Sequence, residues 1–435
     1  MKKSSLVIII VICSCFSFAQ IPAANTYLSL DEALGKPLNV YKLFLYNTNL
    51  KTLPENFGDL INLQELTITN SLLSELPESI GNLRNLKKLD LNNNKITYLP
   101  ASIGNLKNLE VLDLSRNQLT SLPQSIGNLT NLNSLDVFNN KINTLPESIF
   151  KLQNLTNLSL GYNLLTTVSA KIGSLTNIVE LSLINNQLRF IPESIGNLNN
   201  LKELSLYGNL LANLPSSITK LTNLTQLNVR DNQLSILPED IGDLKNLTSL
   251  YLSSNQFQNL PRGILKLTKL KILSIYNNKF SKLPEAICEL RNLEELHLFK
   301  NNLTTLPPKF SQLLKLKKLH AGNNQFVILP ESIFKLTKLE ELLLENNKFT
   351  FLPESISNLL NLSVLGLSGN KLKSLPEGIV SLSNLKGMNL GDNKLNTLPE
   401  GIISLTKLKW IVLTGNKNLQ MPPSVEEFVN SRLQE

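Results

Sequence analysis

LEVLDLSRNQLTSLPQSIGNLTN, residues 109–131, decides how this chain folds, because its pattern returns at every 23rd residue. The register is clearest at proline. It stands at Pro54, Pro77, Pro100, Pro123 and Pro146, then from Pro192 through Pro399 to Pro422, sixteen of seventeen equivalent positions, with Ser169 the exception. No insertion or deletion interrupts the count. A period held this strictly describes one short unit stacked on itself many times, and such stacks present extended surfaces.

Within the unit, Leu112 and Leu114 alternate with Val111, Asp113 and Ser115. That period of two predicts a short strand with one buried face and one face in water. Asparagine follows at Asn117 and at the same place in fifteen consecutive copies, Asn94 through Asn416, while the first two copies carry Thr48 and Ser71. A sharp turn out of the strand leaves backbone donors and acceptors inside the coil, and an amide supplies both complements. Stacked copies therefore predict an asparagine ladder. The second half, P-x-x-I-x-x-L, predicts a short helical or 3₁₀ segment on the opposite side, with proline in its first turn. Glutamate follows proline in ten of seventeen copies, as at Glu78, Glu147 and Glu331, where it would favour the positive end of that turn's dipole. Ile126 and its counterparts point inward, and only Phe57, Phe310 and Val425 replace Ile.

This unit resembles the 23-residue leucine-rich repeat of the L-P-x-x-I-G-N-L type, also found in plant and animal Ras-associated repeat proteins. The resemblance runs from about residue 40 to about residue 430. It implies an α/β solenoid, a horseshoe with a parallel β-sheet on the concave face and short helices or 3₁₀ segments on the convex one, with partners seated on the concave side. Seventeen strands at about 4.8 Å spacing give an inner arc of roughly 80 Å.

The ends depart from the repeat. Lys2 and Lys3 precede an apolar run from Leu6 to Phe18, and Ser17-Phe18-Ala19 precedes Gln20. This has the form of a secretory signal at 1–19, too short to span a bilayer comfortably, cleaved between Ala19 and Gln20. Ile12-Cys13-Ser14-Cys15 offers a second reading, a lipid anchor on Cys15. Residues 20–39 read as an N-terminal helical cap, with Ser29 and Glu32 at capping-box spacing and Pro37 ending the helix. The solenoid of about 17 copies fills 40–422, and 423–435 read as a C-terminal helical cap. There Ser424 and Glu427 form a second box, and Val425, Phe428, Val429 and Leu433 make one apolar face. The style of the signal, together with a Leu-rich lead-in at residues 29–34 that resembles those of exported bacterial repeat proteins, points to a secreted, cell-surface or periplasmic location.

The net charge is +8, or +6 without Lys2 and Lys3, and acidic and basic residues alternate along the repeats. That distribution argues against a nucleic-acid partner. Two of the three cysteines lie in the signal, which leaves Cys288 alone and excludes a disulfide within one mature chain. There is no phosphate-binding loop. Cys288 falls on the convex segment and His297 on the concave strand, so no nucleophile meets a base. The expectation is a binding protein, with no catalytic residues and no cofactor.

Because residues 23 apart become neighbours, the concave columns can be read directly. One runs Phe44, Thr67, Asp90, Asp113, Asp136, Ser159, Ser182, Ser205, Asn228, Tyr251, Ser274, His297, His320. The next contains Tyr46, Phe138, Ile184, Tyr207, Arg230, Tyr276 and Phe299. Tyr207, Arg230, Tyr251, Tyr276, His297 and Phe299 have the composition of a binding hot spot, with Phe138 and His320 as outlying candidates. The same aromatics also suit strands for intrinsic reasons. Asp90, Asp113 and Asp136 read as a solvated acidic patch, or as a seat for a cation or basic partner. Three collinear carboxylates do not enclose a calcium ion. His297 and His320 read as surface histidines, as partner contacts, or as two ligands of a zinc ion that a second molecule would complete. The overall expectation is an exported protein that holds a protein or glycan partner on its concave face, in adhesion or host contact. A cell-envelope scaffold that binds the cell's own components or self-associates is the alternative, and an intracellular signalling scaffold follows if the signal is retained.

Overall fold

The computed structural model describes residues 25–432. The signal segment, its cleavage point, Cys15 and Leu433 lie outside them.

After β1 (Thr26–Tyr27) and α1 (Leu30–Leu34), strand β2 (Lys42–Tyr46) opens a series that recurs at the 23-residue step and ends in β18 (Trp410–Val412). Every strand pairs in parallel with its sequence neighbour, and partners such as Leu112 and Leu135 are 23 residues apart. Successive strands are joined through five-residue 3₁₀ turns on the opposite side. Leu112, Leu114, Leu119, Ile126 and Leu129 of one copy are all fully buried. Each copy thus seals its ring of aliphatic side chains against two neighbours, and the core extends along one axis.

The asparagine ladder is present. Asn186 Nδ2 donates to the carbonyls of Leu160, Leu183 and Ile184 at 3.0, 3.2 and 3.2 Å, and its Oδ1 accepts from the Leu165 N–H at 3.0 Å. In the first two copies hydroxyls do part of the work, with the Thr48 N–H on Ser71 Oγ at 3.0 Å. The residue just before each Asn adopts a left-handed conformation, in non-glycine residues such as Arg116, Tyr162 and Lys300. That kink aims the amide inward. A second ladder, which the sequence reading missed, runs along the convex side. Asn131 Nδ2 donates to the Lys107 carbonyl at 3.0 Å, and Asn108, Asn154, Asn177 and Asn200 repeat the contact. Where lysine follows a copy that keeps this Asn, its Nζ reaches that amide oxygen, as Lys269 does to Asn246 at 2.7 Å.

Several local expectations are corrected. Proline is the N-cap of each turn rather than part of it; Pro123, for example, has φ −69° and ψ 153°. Its extended backbone carries the chain into the turn. The glutamate after proline reaches the next copy instead of its own turn, capping that turn in some copies and pairing with a lysine in others, as Glu147 does with Lys171 at 2.9 Å. Glu193 accepts from the Ser216 and Ser217 N–H groups, and Glu354 from those of Glu377 and Gly378. A five-residue turn is too short to bring the carboxylate back onto its own N–H groups. Glycine in I-G-N-L lets copies interlock, since a Cβ on Gly127 would collide with the Ser148 carbonyl.

At the amino end Ser29 caps α1 by accepting from the Glu32 N–H at 3.5 Å. The helix ends at Gly35, before Pro37, which starts a 3₁₀ turn. At the other end α2 (Pro423–Asn430) is capped by Pro422, with Ser424 already inside the helix. The second capping box therefore does not form, because Pro422-Pro423 starts the helix one residue too early for it. Val425 and Val429 are buried and Phe428 packs against the core. No helix among the described residues is long and apolar enough to cross a membrane.

Candidate functional site

The strand pairing puts the predicted columns side by side. Tyr251 pairs with Ser274, Ser274 with His297, and His297 with His320. Each residue of the predicted cluster is half-buried, with its backbone in or just after a strand whose leucines anchor it from behind. Side chains there stand on a rigid base.

Two pieces of the cluster are built tightly. The Arg230 guanidinium lies 5.6 Å from the Tyr207 ring centroid and 5.0 Å from that of Tyr251, a cation–π contact with both. Its Nε also donates to Asn228 Oδ1 at 3.3 Å. Tyr276 and Phe299 stack with ring centroids 4.2 Å apart and planes 9° apart. Burial, with the Asp231 carboxylate nearby, pushes the Tyr207 phenol above its usual range, so it stays a neutral hydroxyl. Phe138 sits apart from this group. It packs on Tyr162 at 4.9 Å, a residue the column reading passed over because it occupies the left-handed turn position. Gly161 opens the space, since a Cβ there would meet both Phe138 and Ile184.

His297 and His320 come together as their spacing implied. Their Nδ1 atoms are 3.0 Å apart and the rings meet edge to face, with centroids at 4.6 Å. Behind them stand two carboxylates the sequence reading did not connect to them. Glu295 lies two residues before His297 on the same strand face, and Glu341 is on the strand after His320. Lys318 Nζ holds the other oxygen of Glu295 at 2.9 Å. Burial, then the charge of His320, pushes His297 down to about 4. Glu345 lies nearby in a cradle left by Gly322 and Gly366, and burial raises its carboxyl.

The acidic column is less solvated than a surface patch. Asp90, Asp113 and Asp136 are half-buried, and each accepts from the N–H two residues on, at Asn92, Ser115 and Phe138. Burial, then Asp113, raises Asp136 to about 6 and raises Asp90 in the same sense. These carboxylates finish their own strands. Cys288 is buried on the convex turn, its thiol pushed up to about 11 by burial, with Glu285 and Glu289 adding to the shift.

A parallel sheet with a variable outer face and an interior lined by asparagine in fifteen consecutive copies defines a repeat-built binding scaffold. The Leucine-rich repeat region family matches residues 30–117, 111–189 and 262–352, and two further leucine-rich repeat families match 360–417, 223–244 and 246–267. The chain belongs to the leucine-rich repeat proteins. A solved leucine-rich repeat protein of Leptospira interrogans is 37% identical, with 95% of this chain and 100% of that one covered and a TM-score of 0.80. The Arabidopsis receptor kinase HAESA, in complex with the peptide hormone IDA and the co-receptor SERK1, is 28% identical over 91% of this chain and 73% of that one, with a TM-score of 0.66. An internalin of Listeria monocytogenes shares the fold at 22% identity, covering 76% and 87%, with a TM-score of 0.60. No curated protein matches the chain.

Proposed function

We propose that this is an exported repeat scaffold that binds a protein partner on its concave face, across Tyr207, Arg230, Tyr251, Tyr276 and Phe299. The observation that carries the reading is the Tyr207–Arg230–Tyr251 contact beside the stacked Tyr276 and Phe299. Large rings already held against one another lose little freedom when a partner covers them, so their burial goes into affinity. The likeness to a receptor solved with a peptide hormone supports a protein or peptide ligand. Export is read from residues 1–19 alone, with cleavage between Ala19 and Gln20 and a surface or periplasmic destination. Intact mass of the protein recovered from its native host tests that part: a chain starting near Gln20 supports it, while a retained Met1 or a diacylglycerol on Cys15 rejects the ordinary signal.

The binding surface is tested by placing a photo-crosslinking residue at Tyr276 and, as a control, at Lys266 on a convex turn. Partner capture at 276 and not at 266, abolished by Phe299→Ala, is the expected result. Capture at 266 alone moves the partner to the other face.

A further inference from the structure

His297 and His320 bring four ring nitrogens together, and their contacts assign each one. His297 Nε2 lies 3.4 Å from Glu295 Oε2, and His320 Nε2 lies 3.2 Å from Glu341 Oε1. An ionised carboxylate only accepts, so the Glu295 contact puts a proton on His297 Nε2. His320 Nε2 makes no hydrogen bond, and its proton is placed by the charge of Glu341, which repels a ring lone pair at that range. In neutral rings that leaves a bare lone pair on each Nδ1. Those two lone pairs face each other across 3.0 Å. Such an arrangement holds together only with a positive species between the nitrogens: a shared proton, which turns one ring into a cation, or a metal ion.

The surroundings favour the metal. A histidine that ligates a metal characteristically gives its other N–H to a carboxylate, which sets the tautomer and the ring orientation. Here the His297 ring does so, His320 stands within ion-pair range of Glu341, and Lys318 anchors the first carboxylate in turn. Two nitrogens at 2.0–2.1 Å from a tetrahedral zinc ion are about 3.3 Å apart, a few tenths of an ångström from the separation seen.

The geometry points to a two-histidine site for a divalent transition metal on the concave face, with the Nδ1 atoms of His297 and His320 as ligands and Glu295 and Glu341 as positioning residues. Imidazole ligation selects zinc, nickel or copper over calcium and magnesium. Among the described residues no group of three or more His, Cys, Asp and Glu side chains could hold a metal. Water, or a side chain of a molecule seated on this face, completes the coordination. The site adjoins Phe299, two residues after His297 in the same copy, at the end of the aromatic cluster, so a bound ion would add a polar anchor to an apolar surface.

The test needs no partner, so its outcome is independent of the proposed protein-binding role. Zinc chloride is titrated by calorimetry into the metal-stripped full chain at pH 7.5, and into His297→Gln, His320→Gln and the double variant. The expected result is one ion bound at the pair, with affinity reduced at least tenfold in each single variant and that binding event absent in the double. Glu341→Gln keeps both ligands and is expected to weaken zinc by about tenfold while leaving the thermal midpoint unchanged. Nickel chloride should rank the variants in the same order. Wild-type stoichiometry and affinity in the double variant, or a folded wild-type chain that binds no zinc, overturns the site. Undiminished affinity in Glu341→Gln overturns the positioning role of the carboxylate.

Discussion

Two columns of this solenoid share one 23-residue step and behave in opposite ways. The inner column repeats asparagine from Asn94 to Asn416, with the same set of backbone partners in copy after copy. The outer column, one strand position away from the leucines, passes from three aspartates through serines to Tyr251 and two histidines. The inner amides have no water to fall back on, so only a side chain with both donor and acceptor fits. The outer side chains meet solvent on one side, and there each copy is free to differ. On the proposed function, stability resides in the first column and recognition on the face of the second.

The sharpest way to break this division is through the ladder. Asn186→Ala or Asn209→Ala should cost on the order of 1–3 kcal/mol, because each strands several buried backbone groups. Thr48→Ala, at the part-buried first copy, should cost much less. Denaturant midpoints compare the three variants, and equal midpoints would contradict the separation.

The concave column next to the outer one supplies the converse. Tyr276→Ala and Phe299→Ala should weaken partner binding by on the order of 1–2 kcal/mol each, with little change in the denaturant midpoint. Lys151→Ala and Lys266→Ala on the convex side should leave affinity unchanged. A loss of fold comparable to that of Asn186→Ala would mean the stacked pair belongs to the framework.

Within the outer column, the aspartates carry a smaller, pH-dependent effect. Asp136 is raised from 3.8 to about 6 in the folded chain, so the fold binds its proton more tightly than the unfolded chain does. Its charged form therefore weighs against folding at neutral pH, and the penalty fades as pH falls from 6 towards 3.8. Asp136→Asn keeps an oxygen for the Phe138 N–H and should raise the thermal midpoint at pH 7.5. The gain should vanish near pH 4; an equal gain at both values would rule out charge as its source.

The smallest effect is expected at the one gap in the proline register. Without proline, copy six lacks the preset backbone of the other convex turns. Ser169 holds φ −59° and ψ 144°, a conformation proline shares, and its hydroxyl accepts from the Lys171 N–H at 3.3 Å. Ser169→Pro should stabilise by a few tenths of a kcal/mol, since a stiffer unfolded chain is partly offset by the lost cap. Hydrogen exchange across 166–172 reads the same point, and rates no faster than at 144–149 would count against a loose copy.

Much of this was legible in the chain itself. The period, the strand at L-x-L, the amide ladder and the neighbours in each concave column all follow from counting, because stacking at a constant step turns sequence distance into spatial contact. The second ladder was equally present in the repeat as its final Asn, but that residue lies on an exposed edge and carries no hydrophobic signal. Tyr162 escaped because a left-handed turn rotates it out of the column in which it would be sought.

What the sequence determined alone was therefore the repeat, its faces and its register, since each depends only on local pattern repeated in one dimension. Tertiary structure decided whatever depends on angles between neighbouring copies. It turned the Glu after proline onto the next turn, and set Arg230 against both Tyr207 and Tyr251. It also brought the Nδ1 atoms of the histidine pair within 3.0 Å of each other, with Glu295 and Glu341 near the other two nitrogens. A column specifies which residues are adjacent; rotamers, tautomers and the direction of each lone pair come only from packing in three dimensions.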